Sequence, residues 1–399
     1  MKTLLLENIH PIAQKTLEAN GLPVTVRKGS FGEEELIASV RDVSVLGIRS
    51  RTEITKRVLE HAPHLLVIGA YCIGTNQIDL EAASLHGVAV FNAPFSNTRS
   101  VAELVIAEII FLIRRLYDKV VKAHQGAWDK SGDNAREVRG KKLGIIGFGN
   151  IGSQVSVLAE AMGMDVMYYD TVDKLSIGNA ARASSLEQLL RTSDVITVHV
   201  DGNPANKDLI GEPEFGCMKN GVFLLNLSRG HVVNIEALAE SIRSGRVAGA
   251  ALDVFPNEPK NGQEPLLTPL QGLPNVLLTP HIGGSTEEAL ENIAEFVSQK
   301  LLDYLQTGST FTSVNFPKIN LPRTEDAQTR RLLHIHQNVP GVLSQVNGIF
   351  AKNNVNVVAQ YLRTNEQIGY AIADVDREYK ESLFEDLRQV SNTIKVRIV

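Results

Sequence analysis

The sequence predicts an α/β protein built from two units of alternating strands and helices and a third, smaller module. Its 399 residues are too many for one ordinary hydrophobic core, so we expect two or three domains. Short apolar runs alternate with amphipathic stretches over most of the chain, a pattern typical of parallel sheets covered by helices. From RLLHIHQ to the C-terminus the predicted order is instead strand, helix, strand, strand, helix, strand, which is typical of a ferredoxin-like module.

The composition excludes several classes of protein. Hydrophobic residues make up 43% of the chain, and the formal net charge of −5 gives no reason to expect nucleic acid or an anionic membrane as a partner. Two cysteines, Cys72 and Cys217, are too few for a disulfide framework and fit a reducing compartment. The apolar run in MKTLLLENIH is too short for a secretion signal, and no run is long enough to span a membrane. We therefore expect a cytoplasmic protein that binds neither nucleic acid nor membranes.

The first unit is predicted to contain buried parallel strands with helices between them. The strands lie in KTLLLE, VSVLGIRS, LLVIGAY and GVAVFNAP, and the helices lie in LIASVRDV and LEAASLHG. One long helix is predicted to follow in SVAELVIAEIIFLIRRLYDKVVKAH, because apolar residues recur there at helical spacing. The first half of this helix is apolar almost all round, so we expect it to be buried, with a partner subunit as one candidate to cover it.

The second unit is predicted to contain six strands, and the first of them leads into a glycine-rich loop. The strands lie in KKLGIIG, MDVMYYD, DVITVHV, GVFLLNLS, GAALDVF and NVLLTPH. In the loop GFGNIG, Gly147 permits a tight turn, Gly149 lets a pyrophosphate approach the backbone, and Gly152 lets the next helix pack closely on the strand. The start of that helix offers free N–H groups, which attract phosphate.

An acidic residue completes the nucleotide-binding pattern. Asp170 ends the second strand of this unit, 18 residues after Gly152. Dinucleotide-binding domains of the Rossmann type place their ribose-binding carboxylate about 20 residues after the glycines. A carboxylate at this point accepts a hydrogen bond from the ribose 2′-hydroxyl and repels a 2′-phosphate, so the pattern favours NAD over NADP. The alternative is an ordinary strand-to-helix turn with a surface aspartate.

The stretch LLTPHIGGST places a titratable imidazole on a rigid turn, since His281 stands between Pro280 and two glycines. Hydride transfer from a hydroxy acid needs a base for the hydroxyl proton, a carboxylate to orient that base, and a cation for the substrate carboxylate. Arg229, Glu258 and His281 each follow a predicted strand of the second unit, where the ligand sites of open α/β sheets lie. Their spacing alone does not show that they meet.

Four motifs, GFGNIG, NLSRGHVVNIEAL, ALDVFPNEP and TPHIGGST, occur in the order in which the D-2-hydroxyacid dehydrogenase family has them, and the chain resembles that family. Finer matches resemble the branch of the family that oxidises 3-phosphoglycerate and carries a C-terminal ACT domain. These matches are GIRSRTEI, GAYCIGTNQIDLEAA, FNAPFSNTRSVAELVIAEII and HIHQNVPGVL. The similarity covers essentially the whole chain.

The resemblance implies a domain organisation. A Rossmann NAD-binding domain, residues 97–287, would be inserted in a flavodoxin-like substrate-binding domain made of residues 1–96 and 288–316. A linker, residues 317–327, would then join an ACT regulatory domain, residues 328–399.

The resemblance also implies roles for single residues. His281 would be the acid/base, Glu258 its partner and Arg229 the clamp on the substrate carboxylate. The expected cofactor-binding residues are Gly147, Gly149, Asn150, Ile151, Gly152, Asp170, His199, Leu227, Ser228, Asp253, Gly283 and Gly284. The expected substrate-binding residues are Arg49, Ser50, Cys72, Ile73, Gly74 and Asn97, with the 3-phosphate at Arg49 and Ser50. Trp128 and Lys130 would reach a neighbouring active site.

In the C-terminal module the resemblance implies an effector site for L-serine at His336, Asn338 and Asn356, in modules that pair edge to edge between subunits of a homotetramer. The alternative for HIHQNVPG, a zinc site at His334 and His336, lacks an evident third ligand. The chain departs from the family in HVDGNPANKDLIG, where the loop from Asp201 to Asn206 is altered, so the resemblance implies no cofactor contact from this loop.

The expected function is therefore NAD-dependent oxidation of 3-phospho-D-glycerate to 3-phosphooxypyruvate, the first step of serine biosynthesis, with feedback inhibition by L-serine. Two alternatives stay open. One is a reductase of another 2-oxo acid, such as 2-oxoglutarate or hydroxypyruvate. The other is a nucleotide-sensing protein that keeps this fold without turnover.

Overall fold

The computed structural model describes residues 1–259, 264–322, 329–376 and 382–399. The described chain forms two compact units, Met1–Ser96 with Leu290–Val399 as the first and Asn97–Ala289 as the second. The expected α/β class is confirmed, with parallel sheets in both units and an antiparallel C-terminal sheet in the first.

A five-stranded parallel sheet organises the N-terminal part of the first unit. Its strands are β1 (Thr3–Leu5), β2 (Val24–Val26), β3 (Val45–Ile48), β4 (Val67–Ala70) and β5 (Ala89–Phe91), in the order β2-β1-β3-β4-β5 that is typical of flavodoxin-like sheets. The helices between them are α1 (Pro11–Ala19), α2 (Glu33–Val40), α3 (Lys56–Glu60) and α4 (Leu80–Leu85). The sequence did not predict β2, α1 or α3. In β2 no residue is fully buried, which explains the weak apolar signal.

The second unit has the strand order of a doubly wound dinucleotide-binding sheet. Its strands are β6 (Lys142–Ile146), β7 (Asp165–Tyr169), β8 (Ala181–Arg182), β9 (Val195–Val198), β10 (Val222–Asn226), β11 (Val247–Leu252) and β12 (Val276–Leu278). The order is β12-β11-β10-β9-β6-β7-β8, and all neighbours are parallel. Its helices are α5 (Thr98–Arg114), α6 (Leu116–His124), α7 (Asn150–Ala161), α8 (Leu186–Thr192), α9 (Glu212–Cys217) and α10 (Ile235–Arg243).

The single long helix predicted after the first unit is wrong, because the chain breaks at Arg115. Arg115 has a left-handed backbone with φ of 53°, and it separates α5 from α6. Tertiary contacts hold this break, since the side chain of Asn275 donates to the carbonyl of Leu112 and the backbone N–H of Arg136 donates to that of Ile113. The seven buried residues of α5 confirm that the first half is buried, whereas α6 buries none.

The C-terminal module has the predicted βαββαβ order. It follows α11 (Glu287–Thr307) and consists of β13 (Thr329–Gln337), α12 (Val342–Lys352), β14 (Val357–Thr364), β15 (Ile368–Asp376), α13 (Ser382–Arg388) and β16 (Thr393–Ile398). The antiparallel sheet has the order β14-β15-β13-β16, and residues of both helices pack with one of its faces.

The other face of this sheet shares a core with the parallel sheet of the same unit. Leu333 and Tyr370 belong to one apolar cluster with Leu5, Phe91 and residues of α11. The Tyr370 hydroxyl also donates to the carbonyl of Gly308 at 2.7 Å.

The first residues of the predicted linker take part in the same core. Ile319 and Leu321 are buried, and the backbone N–H of Thr310 donates to the Ile319 carbonyl at 2.8 Å. Residues 323–327 of that linker lie outside the described residues. The division into substrate-binding domain, linker and ACT domain stays a prediction.

Among the described helices, none is both long enough and apolar enough to cross a membrane. Cys72 and Cys217 are both free thiols.

Candidate active site

A buried aspartate fixes the turn that carries His281. Asp253 follows β11, and its Oδ1 accepts from the hydroxyl of Thr279 at 2.6 Å and from the backbone N–H of Ile282 at 2.8 Å. Its Oδ2 accepts from the backbone N–H of Gly283 at 2.8 Å. His281 has a left-handed φ of 55°, which is costly for a residue with a side chain, so the turn depends on these bonds.

His281 and Glu258 form a hydrogen-bonded pair. The distance from His281 Nδ1 to Glu258 Oε2 is 2.8 Å, and Glu258 Oε1 accepts from the backbone N–H of Phe255 at 3.2 Å. The hydrogen bond to Glu258 raises the pKa of His281 against the opposing effect of burial. Burial alone would raise the pKa of Glu258. The hydrogen bond and charge of His281, the Phe255 N–H and the charge of Arg229 together outweigh burial and lower that pKa. The carboxylate therefore stays ionised and favours the imidazolium form of its partner.

Arg229 lies in the same site. It follows β10 after two residues, and the side-chain amide of Asn226 donates to its carbonyl at 3.0 Å. Its Nη1 donates to the carbonyl of Ser228 at 2.8 Å. The positive charge of Arg229 contributes to the lowered pKa of Glu258 and partly opposes the rise in the pKa of His281. The structure thus brings together the three residues that the sequence placed only at strand ends.

The glycine-rich loop fits a bound dinucleotide. Gly147 has φ of 90°, and a Cβ there would lie 2.5 Å from the carbonyl oxygen of His199. A Cβ at Gly152 would collide with the carbonyl oxygen of Gly147. At Gly149, by contrast, a Cβ would meet no atom of the described residues within 4 Å. Two glycines are required by packing, and the third leaves open space where a pyrophosphate would approach.

The start of α7 and Asp170 complete this cradle. Gly149 is the N-cap of α7 and offers no side-chain cap, so the first N–H groups of the helix, at Asn150 and Ile151, are available to phosphate. Asp170 Oδ2 accepts from the backbone N–H of Phe148 at 2.9 Å, which ties the predicted ribose-binding carboxylate to the loop itself.

The structure also places the other residues that were predicted on the cofactor side. His199 is bonded through Nε2 to the hydroxyl of Thr197 at 2.9 Å, and burial lowers its pKa to about 3, so it is neutral. Leu227 and Ser228 are buried after β10. Gly284 lies against Asn97, because a Cβ at Gly284 would collide with the Asn97 side chain.

The altered loop between Asp201 and Asn206 closes on itself. Asp201 Oδ1 accepts from the side chain of Asn206 at 2.7 Å and from the backbone N–H of Asn203 at 3.2 Å. Gly202 stands beside Arg229, since a Cβ there would lie 3.4 Å from Arg229 Nε. The altered loop therefore borders the predicted carboxylate clamp.

In the first unit, the predicted substrate-binding residues follow two neighbouring parallel strands. Arg49 and Ser50 follow β3, and Cys72, Ile73 and Gly74 follow β4. The Cys72 thiol lies 3.1 Å from the Gly74 carbonyl, and burial raises its pKa to about 11. Cys72 is therefore a thiol that packs rather than a nucleophile.

The predicted effector residues do not all meet within one module. His336 is buried at the end of β13, and the Asn338 side chain donates to the Asn365 carbonyl at 2.7 Å. His336 pairs with Gly369 across the ladder, whereas the Asn356 carbonyl accepts from the backbone N–H of Asp376 at the other end of β15. Asn356 thus lies at the opposite end of the sheet.

The two histidines of HIHQNVPG are both buried in the module. Burial lowers the pKa of His334 to about 4, and its Nε2 lies 2.9 Å from the Thr393 hydroxyl. Among the described residues, no group of three or more His, Cys, Asp or Glu is placed to bind a metal.

Trp128, predicted to reach a neighbouring site together with Lys130, is 84% exposed.

Comparisons with known proteins agree with this geometry. Residues 106–283 match the NAD binding domain of D-isomer specific 2-hydroxyacid dehydrogenases, and residues 332–395 match the AHAS small subunit-like ACT domain. D-3-phosphoglycerate dehydrogenase of Haemophilus influenzae is 47% identical over 400 residues, which cover 100% of this chain and 97% of that protein. The chain belongs to the D-3-phosphoglycerate dehydrogenase family. The family member of Escherichia coli K12 is 48% identical over 402 residues, with the same two coverages.

Solved structures support the same assignment. The crystal structure of the TT0316 protein from Thermus thermophilus aligns with a TM-score of 0.72 and 33% identity over 79% of this chain and 100% of that one. D-lactate dehydrogenase of Aquifex aeolicus, solved with NAD and lactic acid, aligns with a TM-score of 0.67 and 27% identity over 79% and 100% of the two chains. The predicted enzyme class and the NAD cofactor are thereby confirmed.

Two residues near the predicted phosphate loop of this chain were not predicted from the sequence. Glu7 follows β1 and Gln77 lies beyond β4, and both contact the backbone next to Arg49. Glu7 shares one signal with Arg229, since each is a charged residue just after a parallel strand. That signal could have marked Glu7 as a candidate.

Proposed function

We propose that the enzyme oxidises 3-phospho-D-glycerate to 3-phosphooxypyruvate with NAD and that L-serine inhibits it through the ACT domain. The observation that carries the proposal is the placement of His281, Glu258 and Arg229 after three neighbouring strands of the sheet whose first strand leads into the nucleotide loop. The full-length similarity to proteins named D-3-phosphoglycerate dehydrogenase supports the choice of substrate.

In the proposed mechanism His281 receives the hydroxyl proton of the substrate. Its Nδ1 faces the Glu258 carboxylate and donates to it, so Nε2 is the nitrogen that is left to accept a proton. Glu258 then stabilises the imidazolium, as the raised pKa of His281 indicates. Arg229 would hold the substrate carboxylate through its guanidinium. Bound NAD supplies the acceptor for the hydride that leaves the same carbon.

The loop after β3 would select the phosphorylated substrate. Among the described residues, neither Arg49 nor Arg51 forms an ion pair, so both guanidiniums are available to an anion. Ser50 is exposed between them and adds a hydroxyl donor. We assign this loop to the 3-phosphate, and we assign the N–H groups of the loop at Cys72, Ile73 and Gly74 to the substrate carboxylate.

For L-serine we propose a site between two ACT domains. The edge strand β14 exposes Val358, Tyr361 and Leu362, and such an edge is a natural place for a second copy to pair. Antiparallel pairing of two β14 strands would set the start of one beside the end of the other. Asn356 of one copy would then approach His336 and Asn338 of the other.

We propose a homotetramer with a second interface on the helices after the first unit. The exposed apolar residues there, on α5 and α6, are Phe111, Tyr117, Val120 and Val121. Pairing of two copies on these helices, together with pairing of the ACT domains, would close a tetramer. The free thiols of Cys72 and Cys217 fit the proposed cytoplasmic location.

The test of this function is NADH oxidation with 3-phosphooxypyruvate, hydroxypyruvate and 2-oxoglutarate in parallel, each with and without L-serine. We expect much faster turnover of the phosphorylated acid than of the other two, and we expect L-serine to inhibit this turnover. Turnover confined to an unphosphorylated acid and indifferent to L-serine would contradict the proposed substrate and regulation. Saturable NADH binding without turnover of any acid would contradict catalysis itself.

A further inference from the structure

The carboxylate of Glu7 holds the backbone of the loop after β3. Glu7 is 6% exposed, and its own backbone is left-handed with φ of 62°. Its Oε1 accepts from the N–H groups of Arg49 at 3.2 Å and Thr52 at 2.8 Å, and its Oε2 accepts from the N–H of Arg51 at 2.9 Å. One buried carboxylate thus binds three of the four N–H groups between residues 49 and 52.

A second side chain holds the same loop from its carbonyl side. Gln77 Nε2 donates to the Arg49 carbonyl at 2.5 Å, and the Cys72 thiol lies 3.5 Å from that oxygen. Within the described ranges the loop pairs with no strand, because β3 ends at Ile48. Its conformation therefore depends on the two clamps, Glu7 and Gln77.

The use of a carboxylate next to an anion-binding loop requires an explanation, since its charge opposes the phosphate. A carboxylate free to rotate would pair with the guanidinium of Arg49 or Arg51 and remove the charge that the phosphate needs. Here the three N–H bonds occupy both oxygens of Glu7, and both guanidiniums stay without an ion pair among the described residues. The backbone bonds thus order the loop without neutralising its side chains.

We propose that Glu7 is a positioning residue for recognition of the substrate phosphate. It would fix the backbone between Arg49 and Thr52 so that the side chains of Arg49, Ser50 and Arg51 converge on one anion. The proposal rests on the proposed function, because it assumes that this loop binds the 3-phosphate. Its specific consequence is that loss of Glu7 weakens the binding of a phosphorylated substrate more than the binding of the same acid without phosphate.

The test compares 3-phosphooxypyruvate with hydroxypyruvate, which differs from it by the phosphate, in Glu7→Gln. The amide oxygen still accepts from two N–H groups, but the amide nitrogen cannot accept from the N–H of Arg51. We expect the ratio of kcat/KM for the phosphorylated to the unphosphorylated acid to fall about tenfold, mainly through KM, since a lost hydrogen bond to a charged group has about that effect. The dissociation constant of NADH should stay within about twofold, because the side chain of Glu7 binds the loop after β3 and none of the predicted cofactor-binding residues.

Glu53→Gln is the matched control. Glu53 is an exposed carboxylate directly after the loop and accepts no hydrogen bond from it among the described residues, so its loss removes the same charge without loosening the loop. We expect this variant to keep the wild-type ratio. Loss of a negative charge alone would favour the phosphate, so a fall in the ratio cannot come from charge. If Glu53→Gln lowers the ratio as much as Glu7→Gln does, the fall does not depend on the backbone bonds of Glu7 and the positioning role is wrong.

The remaining outcomes separate this inference from the proposed function. A wild-type enzyme without preference for the phosphorylated acid contradicts the proposed function. A wild-type preference that Glu7→Gln leaves intact, or an equal loss for both acids, contradicts the role of Glu7 alone. If Glu7→Gln does not fold, Gln77→Leu decides in its place, because it releases the same loop at the Arg49 carbonyl and should lower the same ratio.

Discussion

His281 Nδ1 lies 2.8 Å from Glu258 Oε2, and this hydrogen bond raises the pKa of the imidazole above its ordinary value. A raised pKa keeps His281 protonated to higher pH, which favours reduction of the oxo acid, and requires a higher pH for oxidation of the hydroxy acid. The pair therefore sets the pH at which each direction runs.

Glu258→Gln should move the pH profile of kcat/KM to lower pH. This variant loses the negative charge that raises the pKa of His281, and its one amide oxygen can accept from His281 Nδ1 or from the Phe255 N–H but not from both. Oxidation should therefore begin at lower pH, and reduction should fall off at lower pH. The maximum rate should fall by about tenfold to a hundredfold, because the imidazolium that forms loses its carboxylate partner and the ring is held less firmly. Glu236→Gln, at an exposed position of α10, serves as control. An unmoved profile, or one moved to higher pH, contradicts this role.

Asp253→Asn should loosen the turn that carries His281. The amide nitrogen cannot accept from the N–H of Gly283, and the loss of such a buried bond costs about 1–3 kcal/mol of unfolding free energy. We expect kcat to fall together with stability, as measured by steady-state kinetics and urea unfolding. Asp165→Asn, at an exposed position of β7, should change neither. A destabilised variant with wild-type kcat would show that Asp253 does not position His281 for catalysis.

Two glycines of the nucleotide loop should respond differently to substitution by alanine. Gly152→Ala should lower the unfolding temperature, because its Cβ would collide with the Gly147 carbonyl oxygen. Gly149→Ala should leave the unfolding temperature nearly unchanged, since its Cβ would meet no atom within 4 Å in the described part of the chain. It should nevertheless weaken NADH binding about tenfold by intruding on the pyrophosphate. Thermal unfolding and NADH fluorescence titration check both, and tight NADH binding by Gly149→Ala would contradict the assigned cradle.

Glu108→Gln should stabilise the protein, and more so at higher pH. Glu108 is buried on α5, its carboxyl oxygens have no hydrogen-bond partner among the described residues, and burial together with the charge of Asp253 raises its pKa to about 8. Between the unfolded pKa of about 4.5 and pH 8 the folded state holds the proton more tightly, so stability falls as pH rises.

The advantage of Glu108→Gln over the wild type should therefore grow between pH 5 and pH 8, by roughly 1 kcal/mol per pH unit, and level off above that. Urea unfolding at several pH values measures it. Glu103→Gln, at an exposed position of the same helix, is the control. An advantage that is constant with pH would show that Glu108 is ionised in the folded state.

Those parts of the fold that depend on local sequence could be predicted. The buried strands of both sheets are continuous apolar runs, and the nucleotide loop carries glycines at positions where a Cβ would collide with backbone. The break at Arg115 could not be predicted, because neither glycine nor proline marks it. It depends on bonds from Asn275 and Arg136, which are distant in sequence.

The candidate site was predicted in its residues but not in its assembly. Arg229, Glu258 and His281 were found as polar residues after strands, yet only the sheet order makes those strands neighbours. Glu7 escaped because the N–H groups it binds lie 42 to 45 residues further along the chain. A carboxylate that binds backbone leaves no pattern of side chains at its partner positions.

The most direct test of the central claim is the ratio of kcat/KM for 3-phosphooxypyruvate to that for hydroxypyruvate, in the wild type and in Arg49→Ala, with Arg41→Ala at an exposed position as control. We expect a high ratio in the wild type and in the control. In Arg49→Ala the ratio should fall about a hundredfold, because a phosphate loses a charged partner while the hydride-transfer site is unchanged. A ratio near one in the wild type, or a ratio that Arg49→Ala does not lower, would contradict recognition of the 3-phosphate by Arg49.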